Sequence, residues 1–397
     1  MRQYNFDEII DRKGTNSINV EAYGEKLLQG AELPWKEEDI IRMWVADMEF
    51  AVPEVILEAM RKRIDQKIFG YTGVFDSNYY DAFVAWNKKR YGWEFPEEHL
   101  VFSPGIVPAL LQLPTMIMEP DEKILIMTPS YGPFKTAGDF NRREVVYSPL
   151  INKDNFYRMD FDDLREKAAD PKTTVCILCN PHNPTGRAWS KEELKIFADI
   201  MRKENMWVIS DEIHGDLLRS GLRHIPLATI MEDYSRLITC MAPSKTFNLA
   251  ALMVSNLIIP DEKLRTKWNN RTLVKENALG IVAAQAAYSQ GEDWLKALQA
   301  YLDENFRFAK EFFDKHLPLT NFKIPEATYL AWVDLGPYLP EDLDNTILFF
   351  AEKAGVILED ESMFVQDAKG FVRLNFACPK AMLKEGLERI RRALTEE

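Results

Sequence analysis

Between residues 100 and 260, short and nearly all-apolar runs alternate with amphipathic stretches, and no other feature constrains the fold of this chain so tightly. The runs are LVFS (100–103), KILIM (123–127), EVVY (144–147), TTVCILC (173–179), MWVIS (206–210), RLITC (236–240) and NLIIP (256–260). A strand that is apolar along its whole length needs cover on both faces, which helices laid over a mostly parallel sheet provide. The expected fold class is therefore α/β: a large domain with a mostly parallel seven-stranded sheet. Residues 53–68 open on proline and carry apolar side chains at helical spacing, as does the stretch 79–91, so both read as helices. Ser190 and Glu193 form a capping box before LKIFADIMRKEN, which predicts a helix start there. Beyond residue 290 a long charged helical stretch precedes the strands ATYLAWVDL (327–335), GVILE (355–359) and GFVRLNFA (370–377), and PKAMLKEGLERIRRAL closes as a helix. That order suggests a smaller α+β domain. The expected division is an N-terminal arm and part of the small domain in 1–45, the large domain in 46–288, and the C-terminal small domain in 289–397.

A chain of 397 residues that is 46% hydrophobic fills more than one core. Its 62 acidic residues against 49 basic ones leave a formal charge of −13, which disfavours nonspecific binding to nucleic acid or to an anionic membrane. The segment after Met1, RQYNFDEIIDRKGTNS, has no apolar core or small-residue cleavage site. No apolar run reaches the roughly 18 residues of a membrane helix. A cytoplasmic protein is the expectation. Cys176 and Cys179 match a CxxC pattern, but on a strand positions three apart point to opposite faces, so the pair reads as buried strand cysteines and no metal site is expected.

Two residues carry chemistry. Asp211 ends the apolar run MWVIS, and strand carboxyl ends in open α/β sheets are where ligands bind. Lys245 lies 34 residues further on, just past another strand, in SKTF. Singly, SDE fits a solvated loop and SK a surface lysine. Together they supply what a pyridoxal 5′-phosphate (PLP) enzyme needs, an amine for the cofactor aldehyde and a carboxylate for the pyridine nitrogen. Between them CNPHNPTGR (179–187) forms a rigid turn in which Asn183 has an amide to offer the cofactor's phenolic oxygen. Upstream, VFSPGIVPALLQL gives a strand, a Pro104-Gly105 turn and a helix start, whose free backbone N–H groups suit a phosphate.

In this order NPHNPTG, SDEIH, SKTFN and RLNFACP resemble the fold type I PLP-dependent family of aminotransferase classes I and II. More narrowly, DRKGTNS (11–17), WVADMEF (44–50), GYTG (70–73), SPGIVPA (103–109) and CNPHNPTGRAW (179–189) resemble its cystathionine β-lyase branch, the MalY/PatB type of carbon–sulfur lyase. The resemblance implies PLP as cofactor, Lys245 as the Schiff-base lysine and mobile base, and Asp211 as partner of the pyridinium. It assigns Asn183 and His214 to the 3-oxygen, Tyr131 to the ring face, and Gly105, Ile106 and Ser244 to the phosphate. Arg373 would clamp the carboxylate of a small amino-acid substrate, assisted by the backbone around Ala46 and Asp47 and by Asn183. Tyr71 would reach the phosphate of a neighbouring subunit, which implies a homodimer with shared active sites.

The implied reaction is αβ-elimination from cystathionine or a related S-substituted cysteine to thiol, pyruvate and ammonia. An aminotransferase would use the same lysine, and a binding or regulatory protein on the same fold is a third reading. Two departures from the wider family stand out. Met253 occupies the position, eight after Lys245, where many aminotransferases have a basic residue, and NLAAL (248–252) replaces the usual NLAGL. The acidic segment 359–370 is expected to border the substrate entrance.

Overall fold

A computed structural model describes residues 4–272 and 276–396. All seven expected strands form one sheet, in the order Leu100–Ser103, Ser255–Ile258, Leu237–Met241, Trp207–Asp211, Thr173–Cys179, Lys123–Thr128 and Glu144–Pro149. Ser255–Ile258 runs antiparallel to both neighbours, and the other adjacent strands pair in parallel. The continuous apolarity of the strands has the expected cause. Leu125, Met127, Cys176, Leu178 and Val208 face one core with Leu194, Phe197 and Met201 of the helix Lys191–Lys203. Ile124, Ile126, Val175, Ile177 and Ile209 face the other, against Leu110, Phe134 and Trp268.

Cys176 and Cys179 fall on these opposite faces, both buried and free, so the CxxC spacing is strand periodicity and nothing more. The capping box closes as read, with the Ser190 hydroxyl accepting from the Glu193 N–H and the Glu193 carboxylate from the Ser190 N–H.

Several boundaries shift by a few residues, among them the strand expected at 327–335, which spans Leu330–Asp334, and two differences have a clear cause. The helix expected over 53–68 spans Glu54–Ile64 only, because the chain turns at Asp65 and Lys67 adopts a left-handed conformation (φ 64°) that no helix continues through. The strand expected at 355–359 is two short ones with different partners. Val356–Ile357 pairs in parallel with Ile41–Arg42, whereas Glu359–Asp360 pairs antiparallel with Phe371–Asn375. With Leu330–Asp334 the latter two make a three-stranded sheet. A separate large core there joins Tyr23, Leu27, Ile41 and Trp44 to Phe306, Phe350, Leu374, Leu383 and Ile390 from the other end of the sequence. The 25-residue helix Glu292–His316 places Phe306 and Phe313 in this core and Leu295 and Leu298 in a further one, with Phe83, Phe247 and Tyr288. No helix among the described residues is long and apolar enough to cross a membrane.

Candidate active site

The carboxyl ends of the central strands and the small sheet enclose a cavity of about 320 Å³, lined by Val45, Ala46, Gly105, Ile106, Tyr131, Cys179, Asn183, Asp211, His214, Ser244, Lys245, Met253, Glu359 and Arg373 among others. Its size falls within the common range of small-molecule sites. Ten of the twelve expected site residues thus meet in one place. Of the remaining two, Asp47 adjoins the cavity through its neighbour Ala46 but turns its carboxylate to Arg12 (2.5 Å). Tyr71 is 99% exposed, outside the cavity of its own chain.

Lys245 stands in a short helix, Pro243–Thr246, directly after Leu237–Met241. Burial, then the nearby Arg373 cation, brings its amine down from 10.5 to about 8. Its Nζ donates to the Ala46 carbonyl at 2.7 Å, which also accepts from the Tyr329 hydroxyl. The lysine is fixed from below as well: the hydroxyl of Thr246 donates to buried Asp216, which also accepts from Trp86 Nε1 and pairs with Arg90. Asn248 completes the anchorage, exchanging hydrogen bonds with the Met48 backbone in both directions.

Asp211 is buried and receives one backbone N–H, from Ile213 at 3.2 Å. Burial pushes its carboxyl up to about 7. A buried carboxylate with so little compensation calls for a cationic partner. His214 presents a second unmet demand: its Nδ1 is buried without a hydrogen-bond partner among the described residues, and burial with Lys245 and Arg373 nearby lowers its pKa to about 3, so the ring is neutral.

Arg373 lies on Phe371–Asn375 opposite Glu359 on the neighbouring strand. Its Nη1 donates to Asn183 Oδ1 at 3.0 Å, and its Nη2 is ion-paired with the Glu359 carboxylate. Because a guanidinium only donates, the contact fixes the orientation of the Asn183 amide, whose two N–H groups are turned away from Arg373. The turn carrying Asn183 is held by Arg187, which pairs with Glu193 and Glu326, and by Gly186, packed against Pro325 and Ala327. Tyr131 precedes the helix Gly132–Phe140 and pairs across to Phe364, and burial raises its phenol.

The acidic segment 359–370 forms wall as well as rim. Glu359 and Asp360 are each 7% exposed, Phe364 and Val365 pair with Tyr131 and Ser130, and Asp367 accepts from Thr128 at 2.6 Å. Arg12 and Asn248 had no functional reading in the sequence, and Glu359 had one only as part of the segment expected at the substrate entrance. A further signal for Glu359 was its place two residues before a loop and fourteen before Arg373, which suits adjacent antiparallel strands.

A buried lysine at one strand end, a buried acid at the next and an unpartnered histidine between them, on a seven-stranded α/β sheet, define a fold type I PLP-dependent enzyme. The chain belongs to the aminotransferase class I and II family, whose pattern matches residues 38–390. Within that family it is 40% identical to cystathionine β-lyase PatB of Bacillus subtilis over 98% of this chain and 100% of that protein. It is 29% identical to MalY of Escherichia coli, with 97% of each covered. The structure of the PLP-bound C–S lyase from Staphylococcus hominis superposes with a TM-score of 0.95 at 52% identity, covering 99% of both chains.

Proposed function

We propose that this chain is a PLP-dependent carbon–sulfur β-lyase that cleaves cystathionine or related S-substituted cysteines to thiol, pyruvate and ammonia. The observation that carries the reading is the meeting of Lys245, Asp211 and Arg373 in one cavity of a chain that matches cystathionine β-lyase PatB along its whole length. The residues fit the cofactor. Asp211 would face the ring nitrogen, satisfying the carboxylate that the protein leaves nearly bare. Asn183, its carbonyl side engaged by Arg373, would donate to the phenolic oxygen, with neutral His214 beside it. Tyr131 would cover the ring, and Gly105, Ile106 and Ser244 would meet the phosphate. PLP, when bound, supplies the electron sink for the pair left at the substrate Cα.

The chain's own groups do the rest. Arg373 holds the α-carboxylate, aided by Asn183 and the backbone at Ala46 and Asp47, and so fixes the direction of the Cα–H bond. Lys245, with an amine near 8, takes that proton and can return one to the departing sulfur. Thiolates leave as stable anions, which favours elimination at Cβ.

Met253 supplies no cation to the phosphate end, and Tyr71 is free to approach it from another subunit. The proposed assembly is accordingly a homodimer in which each Tyr71 serves the partner's site. Exposed Phe75 and Ile68 on the same loop support this. Two structural units, 46–288 against 289–397 with the N-terminal arm, and a cytoplasmic setting complete the reading.

Purified protein given cystathionine without any keto acid should release pyruvate, ammonia and homocysteine. Lys245→Ala should lower that release by at least about 10³-fold. Ordinary turnover in the variant, or amino-group transfer that depends on an added keto acid, would sink the lyase reading.

A further inference from the structure

The clamp assigned to the substrate carboxylate already holds a carboxylate. Glu359, only 7% exposed, pairs with Arg373 Nη2. Nη1 is engaged by Asn183 Oδ1, and Nε is shielded from solvent without a partner. One face of the guanidinium packs towards the Phe364 ring, at 5.2 Å from its centroid. An incoming α-carboxylate therefore reaches Arg373 through the Nη edge, where Glu359 sits. Two carboxylates on one guanidinium would leave a surplus anion in a buried site, which neither side chain relieves by itself. Burial already presses on Glu359 in the same direction, raising its carboxyl above the ordinary range despite Arg373.

We propose that Glu359 is a positioning residue that occupies the Arg373 clamp in the resting enzyme and is exchanged for the α-carboxylate of the amino-acid substrate. In the resting state it keeps the guanidinium extended across the cavity and its charge compensated. On binding, the Arg373–Glu359 ion pair is replaced by an Arg373–substrate pair, and Glu359 gives up its hold on Nη2. Glu359 thereby weakens every ligand that carries a carboxylate and leaves ligands that carry only an amine untouched.

This inference rests on Arg373 being the carboxylate clamp, so the experiment tests that point separately. Glycine and methylamine serve as probes of the holoenzyme, their binding followed by the absorption of the bound cofactor. Glu359→Gln should bind glycine about tenfold more tightly than the unaltered protein while methylamine is unchanged, and the KM for cystathionine should fall in parallel with glycine affinity. Arg373→Lys should weaken glycine at least about tenfold and spare methylamine. If Arg373→Lys leaves glycine binding intact, the clamp reading fails. If it weakens glycine but Glu359→Gln weakens it too or leaves it unchanged, the clamp stands and the exchange is overturned. Should Glu359→Gln fail to fold, Glu359→Asp, one methylene too short for the pair, carries the same expectation. Failure of both to fold would make Glu359 a structural ion pair and end the proposal.

Discussion

Lys245 shows how far one residue can be read from its neighbours in sequence and where its environment takes over. Its place after a strand was legible, because the apolar run before it and the acid 34 positions earlier both follow from sheet periodicity. Its proton affinity was not, since that depends on burial and on Arg373, 128 positions away. The amine must be neutral to attack the cofactor aldehyde. With a pKa lowered to about 8, the neutral fraction rises with pH and saturates above that value. Reconstitution of the apoenzyme, followed by cofactor absorption, should therefore speed up with rising pH and level off a little above pH 8. An ordinary lysine would go on accelerating to about pH 10.4. A rate still climbing tenfold between about pH 9 and 10 would contradict the buried setting of this amine. Glu359 was half legible for a related reason: the acidic segment it begins was expected at the substrate entrance, and only its pairing with the strand of Arg373 makes it a buried wall of the site.

Among the elements, the seven strands were recoverable because each is covered on both faces and leaves an unbroken apolar run. Short elements that depend on distant partners were not, and the division of 355–360 between two sheets is the clearest case. The turn 179–187 lies between these extremes: its residues announced a rigid bend, but what holds it comes from elsewhere. Gly186 sits at φ 68°, and an added Cβ would lie 2.3 Å from Pro325 Cβ and 3.1 Å from the Ala327 carbonyl. Backbone strain and overlap act together there, so Gly186→Ala should cost about 2–4 kcal/mol, seen as a lower melting temperature. Because the same turn carries Asn183, turnover should fall as well. A variant of unchanged stability would show that the turn shifts freely, and would remove the basis for a fixed Asn183.

At the scale of the whole molecule, a site completed by Tyr71 from another subunit predicts complementation. Tyr71→Ala and Lys245→Ala should each be poorly active alone. Mixed after dissociation and reassociation, they should regain activity, because one site of each mixed dimer would hold an intact lysine and an intact tyrosine. A mixture no better than the Tyr71→Ala protein alone would argue against shared sites. The core shared by Tyr23 and Leu383 has a further consequence, one of timing. Tyr23, Leu27, Ile41 and Trp44 are synthesised well before Leu383 and Ile390, yet they share one core with them. As the chain leaves the ribosome, these apolar side chains lack part of the surface that receives them until the helix Lys380–Thr395 has emerged. The strands of the large sheet all emerge before the strand that bears Arg373, so a nascent chain passes through a stage in which Lys245 and Asp211 have their places and the wall opposite them has still to be built.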